Sequence, residues 1–304
     1  MSSPKYVGIR TFLGAPQSAV NEVLSGQIVF CGAPLDAGQT YRVGARHGPS
    51  AIREASRVVR PYNPRLDLDL SALALSDAGD ADVAPGSIER GFEAIRSHIG
   101  AIVQRGAYPM IMGGDCSIAF PVLGELYSKW GPIALVHFDA HTDTWDEYWG
   151  ERYTHGTAVR RAIEAGFIEP SASVQVGIRG SGYGPSDVEQ SRDLGLLVLT
   201  ADQVHADGAS ETARRIVERV GSHPVLVHFD IDCLDPAHAP GTGMPEVGGL
   251  TTHDASIILV GLAGINVVAA EVTEVLPAYD PSGITAIAAA NVLFELASLA
   301  GSHG

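Results

Sequence analysis

Val136-His137-Phe138-Asp139-Ala140-His141-Thr142-Asp143 is the stretch from which the architecture can be read. An apolar run over 132–136 enters it as a buried strand would, and side chains able to hold a metal then follow at alternate positions. Residues two apart on an extended chain share a face, so Asp139, His141 and Asp143 can converge on one point. Carboxylate, imidazole and carboxylate in alternation suit manganese, zinc or nickel better than magnesium or calcium, which favour oxygen alone. Taken by itself the stretch is also compatible with a strand leaving into a loop whose acids cap the next helix.

Working outward, similar strand-like runs occur at 27–32, 72–76, 108–112, 133–138, 173–178, 195–199, 225–229 and 266–271. Between them lie stretches with helical spacing, at 49–59, 87–104, 118–128, 155–164, 210–220, 252–260 and 283–300. Gly48-Pro49 places a proline at the first helical position, a plain start signal. Strand alternating with helix over the whole length predicts an α/β fold, a three-layer αβα sandwich around a mostly parallel sheet of roughly eight strands. No linker, charge block or repeat divides the 304 residues. One domain is therefore expected over 1–304, with 1–25 an irregular N-terminal arm.

The formal charge of −15 argues against a nucleic-acid partner and favours cationic or neutral small molecules. Cys31, Cys116 and Cys233 lie far apart and suggest no disulfide framework, so a reducing cytoplasm is the expected home. Met1-Ser2-Ser3-Pro4-Lys5 lacks the apolar core of a signal peptide, and no run of about 18 apolar residues reads as a membrane span.

In open sheets, ligands bind beyond the carboxyl ends of the strands. Three strand ends here gather polar residues after apolar runs: Gly113-Gly114-Asp115-Cys116-Ser117, the Asp139 stretch, and Asp230-Ile231-Asp232-Cys233-Leu234-Asp235. Asp230 and Asp232 again share a face. Four carboxylates and a histidine cannot sit together at neutral pH without cations, because repulsion and desolvation forbid it. Two divalent ions would neutralise the four aspartates.

These segments resemble the ureohydrolase family of arginase and agmatinase, nearest the agmatinase branch. The resemblance also covers Gly8-Ile9-Arg10-Thr11-Phe12, Gly44-Ala45-Arg46-His47-Gly48-Pro49, Asp77-Ala78-Gly79-Asp80, the run from Ala239 to Thr251, and Glu271-Val272-Thr273-Glu274-Val275. It implies metal-dependent hydrolysis of a guanidino compound, agmatine above all, to an amine and urea. Asp139 and Asp230 would bridge two metals, Asp143 would complete one, and His141 with Asp232 the other. By the same resemblance Asp143 would guide the nucleophile, His155 would shuttle protons, and Glu274 would hold the guanidinium. A planar cation with paired N–H donors is well met by a carboxylate. A homotrimer or homohexamer is implied.

One position departs from the pattern, which has Gly-Gly-Asp-His-Ser with the histidine on a metal. This chain has Cys116 there. Either a small buried residue has replaced a ligand, or Cys116 is a thiolate ligand that turns the preference from manganese toward nickel, zinc or cobalt. A histidine restored at 116 is expected to raise metal occupancy and urea formation. Trp145, Tyr148 and Trp149 follow Asp143 in an acidic, aromatic loop that lacks the asparagine-and-serine pattern with which arginases hold the α-amino acid end of arginine. Trp145 is thus expected against the substrate, and a decarboxylated or compact guanidine is favoured over arginine. Guanidinobutyrate, guanidine or a biguanide remain alternatives. So does a metal-poor, non-catalytic subunit in a hetero-oligomer with a related chain. His137, His228 and His238 flank the metal-type segments and are expected to support or pack against them.

Overall fold

The computed structural model describes residues 4–184 and 186–302. Its strands are β1 (Ile28–Ala33), β2 (Tyr62–Asn63), β3 (Leu68–Asp69), β4 (Leu75–Asp80), β5 (Tyr108–Gly113), β6 (Ala134–Phe138), β7 (Val174–Ile178), β8 (Leu197–Thr200), β9 (Val225–Asp230) and β10 (Val267–Thr273). The helices are α1 (Gly48–Ser56), α2 (Ile88–Gln104), α3 (Ala119–Trp130), α4 (Ala158–Glu164), α5 (Asp187–Asp193), α6 (Ala201–Asp207), α7 (Ala209–Val220), α8 (Thr252–Gly261) and α9 (Ile284–Gly301). Eight strands form one sheet in the order β4-β1-β5-β10-β9-β6-β7-β8, every pairing parallel. The strands β2 and β3 make a separate small antiparallel ribbon.

Parallel strands must be covered on both faces, which is why their sequences run almost continuously apolar. Every residue of β1, β6, β7, β9 and β10 is buried. One core layer packs Phe30, Phe138 and Phe229 from the sheet against Ile52 of α1, Ile216 of α7, Ile258 of α8 and Leu293 of α9. On the opposite face, Val29, Ile111 and Leu135 meet Ile95 and Ile99 of α2, Leu123 of α3 and Val159 of α4. Helix α9 is long and apolar enough to cross a membrane by length and composition, which corrects the expectation that no such run exists. It is a core helix instead, with 72% of its span buried. A helix hydrophobic all round suits a protein interior as well as a bilayer.

Each of the eight expected sheet strands is found, with one displaced. The run at 72–76 enters the sheet late: Leu70–Ala72 is a 3-10 turn, capped by the Asp69 carboxylate, which accepts from Ser71 N at 2.9 Å, and only Leu75 and Ser76 of the run are strand. Strand β4 then begins later and carries Asp77 into the interior, where Arg53 of α1 meets it with two bonds of 2.9 Å. Arg53 also donates to Asp80 at 2.6 Å, and Asp77 accepts from Phe12 N at 2.8 Å. This charge pair fastens the N-terminal segment and α1 to the sheet edge. Removing one partner of a buried pair strands the other charge. Arg53→Ala is therefore expected to cost about 3–5 kcal/mol, measured by denaturant unfolding; a change within error would show the pair to be dispensable.

Helices α5 and α6 were not anticipated. The start of α6 was nonetheless written in Thr200-Ala201-Asp202-Gln203, where Thr200 Oγ1 accepts from Gln203 N at 3.3 Å and Gln203 Oε1 accepts from Thr200 N at 3.0 Å.

Candidate metal centre

The strands β5, β10, β9 and β6 are consecutive neighbours at the middle of the sheet. Their carboxyl ends deliver all the residues expected to hold metal. Cys116 opens a 3-10 turn just after β5, Asp139, His141 and Asp143 follow β6, and Asp230 ends β9 with Asp232 two residues on. Glu274 comes immediately after β10, between Cys116 after β5 and the aspartates of β9. Crossovers through helices bring these ends together, although the segments are spread along the chain from residue 116 to residue 274.

Turns fix the carboxylates. Asp230 Oδ1 accepts from Asp232 N at 2.7 Å, and Asp232 Oδ1 accepts from Ala140 N at 3.0 Å, locking one loop to the next. Asp143 and Glu274 adopt left-handed backbone with φ of 54° and 60°. Non-glycine residues rarely do so, and such strain concentrates where a side chain must be aimed. The ligand-type atoms of Asp139, His141 and Asp232 lie within 4.8 Å of one another, as do those of Cys116, Asp230 and Glu274. His141 Nδ1 is 3.3 Å from Asp139 and 3.2 Å from Asp232, and Cys116 Sγ is 2.8 Å from Asp230 Oδ2.

Asp139, Asp143, Asp230, Asp232 and Glu274 are all buried. Burial, then the neighbouring Asp139, pushes the Asp143 carboxyl well above its usual range, and burial with Asp232 does the same to Asp230. Glu274 is raised by burial and by Asp115. Burial opposes charge on His141, but Asp232 and Asp139 outweigh it and lift that imidazole well above normal. Burial and Asp230 keep the Cys116 thiol protonated. Asp139 Oδ2 and Asp143 Oδ2 find no hydrogen-bond partner. Orphaned buried carboxylate oxygens are costly unless a cation completes them. The donor set therefore fits divalent metal ions.

Next to this cluster, Glu274 Oε2 accepts from Gln39 Nε2 at 2.9 Å and Oε1 from Cys116 N at 3.2 Å. His155 opens a 3-10 turn before α4, its Nδ1 3.8 Å from Glu274 and its Nε2 2.7 Å from Thr40 Oγ1. Burial lowers this imidazole to about 4. Trp145 stacks edge-on against Tyr148 and Tyr183, at 5.1 and 5.6 Å, and its indole closes over Gly156, where a Cβ would lie 2.6 Å away. That wall stands beside His155. Trp149 is exposed and lies edge-on against Tyr148 at 4.9 Å, on the outer side of this packing.

The flanking histidines divide. His238 lines a groove between α8 and α9 with Leu234, Ser256 and Asn291, among none of the metal-type residues. His137 and His228 point inward, and sequence reasoning undervalued both. The available signal was alternation: each stands two residues before an aspartate, hence on the same face. His137 pairs with His228 across β6 and β9, flanked by Gln175 on β7 and Glu271 on β10, so a buried polar row lies directly beneath the aspartates.

A doubly covered parallel sheet with acidic and imidazole side chains at its central carboxyl edge defines a metallohydrolase-type α/β protein. The Arginase family model matches residues 26–298, and the chain belongs to that family. It is 41% identical to the mitochondrial agmatinase of Gallus gallus, over 95% of this chain and 85% of that one. Guanidinopropionase of Pseudomonas aeruginosa is 39% identical, over 97% and 93%. The solved structure of proclavaminate amidino hydrolase from Streptomyces clavuligerus superposes with a TM-score of 0.91 at 37% identity, covering 97% of this chain and 99% of that one.

Proposed function

We propose that this chain hydrolyses a guanidino compound to urea and an amine, with agmatine the leading substrate and two divalent ions as cofactor. The convergence of four aspartates and His141 beside the buried carboxylate of Glu274 carries this reading. Asp139 and Asp230 would be shared between the ions, with His141 and Asp232 on one side and Asp143 on the other. Manganese is the first candidate, and nickel, zinc or cobalt follow if sulfur from Cys116 takes part. When bound, the ions supply charge that brings water's ionisation toward neutral pH and so a nucleophile.

The chain's own groups do the rest. Glu274, fixed by Gln39 and Cys116 N, offers a carboxylate to the guanidinium and sets the carbon over the cluster. Asp143, beside the cluster, is placed to take the proton of the attacking water. Attack on the guanidinium carbon forms a C–O bond, the C–N bond to the alkyl amine breaks, and the departing nitrogen receives a proton. His155, kept neutral by burial and held by Thr40, is placed to relay protons between solvent and the cluster. Trp145 and Tyr148 exclude water from that side.

A second reading has one observation in its favour. Arg42 is half-buried, stacks on Tyr279 at 4.8 Å and donates to Thr242 O at 3.3 Å, and Gly243 beside it faces Glu274. A cation so placed suits a guanidino acid with a carboxylate tail. Urea release from agmatine, guanidinopropionate, guanidinobutyrate, arginine and guanidine separates the readings. Activity on agmatine that survives Arg42→Ala supports the first; a selective loss of kcat/KM for the acids supports the second. No urea from any of them, with two ions bound, sinks both. His155→Asn is expected to lower kcat by about 10²–10⁴ with metal content unchanged.

We also propose that residues 1–304 act as one domain. A homotrimer or homohexamer is further proposed, supported by exposed Tyr6, Ile9, Tyr41 and Trp149 and checked by light scattering. Free buried Cys31, Cys116 and Cys233 support a reducing, cytoplasmic compartment.

A further inference from the structure

We propose that His228 supplies the imidazole to the ion nearest Cys116, so that the ligand missing from position 116 is delivered from β9 instead. This deepens the metal reading above and rests on it.

Three observations carry it. The ligand-type atoms of Cys116, Asp139 and His228 lie within 4.8 Å of one another, and His228 Nε2 is 3.3 Å from Cys116 Sγ. Atoms this close together could hold one ion between them. Secondly, His228 Nδ1 is 2.6 Å from Glu271 Oε1, its neighbour across β9 and β10. Donation to that carboxylate fixes the proton on Nδ1 and turns the Nε2 lone pair toward Cys116 Sγ and Thr273 Oγ1, both at 3.3 Å, the arrangement that orients metal-bound histidines. Thirdly, alternation along β9 puts His228 on the same face as Asp230, directly beneath it.

His137, its neighbour on β6, fails the same test. Gln175 Nε2 donates to Thr142 O at 2.6 Å, so the amide nitrogen is what faces His137 Nδ1 at 3.0 Å. Nδ1 then accepts, which puts the proton on Nε2, 3.0 Å from Asp139 Oδ2 but outside hydrogen-bond geometry, and leaves no lone pair there for an ion. Two buried histidines in one polar row thus take opposite tautomers, with the proton on Nδ1 in His228 and on Nε2 in His137. Charge agrees, since neutral imidazole preserves the balance of four aspartates against two divalent ions, and a thiolate would upset it. Cys116 Sγ instead donates to Asp230 Oδ2. If His228 fills that place, Cys116→His alone should bring no gain, because an added imidazole would crowd the one already 3.3 Å from the sulfur.

Metal content of the dialysed, folded protein is the test, using Mn²⁺ and Co²⁺. Wild type and Cys116→Ser are expected to hold two ions per chain. His228→Ala should hold one, the second site weakened by more than about 100-fold. Because that truncation leaves Glu271 unpaired, the double variant Cys116→His/His228→Ser provides a second measure: it should regain the second ion, and Cys116→His alone should not. X-ray absorption of the cobalt form should find no sulfur near 2.3 Å. Two tightly held ions in His228→Ala, or loss of an ion from Cys116→Ser alone, would overturn the assignment. A wild-type chain holding no ion overturns the metal reading with it.

Discussion

Asp230→Asn is expected to reduce urea release by roughly four orders of magnitude, because several kcal/mol of transition-state stabilisation would be lost and each 1.4 kcal/mol is tenfold. Asparagine keeps the shape of the side chain and the contact from Asp232 N at 2.7 Å, so the turn after β9 should survive. What disappears is one negative charge from the carboxylate proposed to join the two ions. The loss should exceed that of His155→Asn, since His155 only relays protons and touches Thr40 and Glu274 rather than the aspartates. Paired measurements of kcat and bound metal decide the matter. Equal residual rates in the two variants, or full metal content and activity in Asp230→Asn, would remove Asp230 from the role given to it.

Stripping the metal should make stability fall as pH rises. In the metal-free chain Asp143, Asp230 and Glu274 have carboxyls raised by burial above the ordinary values of about 3.9–4.3. The folded state therefore binds more protons than the unfolded chain between those ordinary values and its own raised ones. Stability must drop with pH across that window, with no penalty below about pH 4 and the full penalty above the raised values. Metal binding displaces the same protons, so affinity grows with pH and the trend reverses in the loaded protein. Ions at a thousandfold over Kd add about 4 kcal/mol per site, enough to raise Tm by on the order of 10 °C when both sites fill. Melting curves at pH 5.5 and 7.5, with chelator and with Mn²⁺, would show the two slopes. A chelated protein more stable at pH 7.5 than at 5.5 contradicts the buried-carboxylate picture.

Much of this was legible because the signals were periodic or local. A buried parallel strand leaves a continuous apolar run, and β1, β5, β6, β7, β9 and β10 were all visible that way. At the edge of the sheet the signal failed: β4 carries Asp77 and Asp80, charges tolerable only because Arg53 arrives from α1, and no window of sequence contains that pairing. The aspartates and His141 were found from two-residue alternation, a property of extended backbone. His137 and His228 obey the same alternation, but their partners Gln175 and Glu271 lie on neighbouring strands and their tautomers depend on those partners.

Sequence alone thus determined which residues could hold a metal and that strands would carry them to one edge, since local geometry and hydrophobic pattern act within a few residues. Only the tertiary structure decided that β10 lies between β5 and β9, bringing Glu274 into the cluster and Glu271 beneath His228. Strand order is set by how helices cross over and pack. That is a property of the whole core, and it governs what an isolated cysteine or histidine ends up beside.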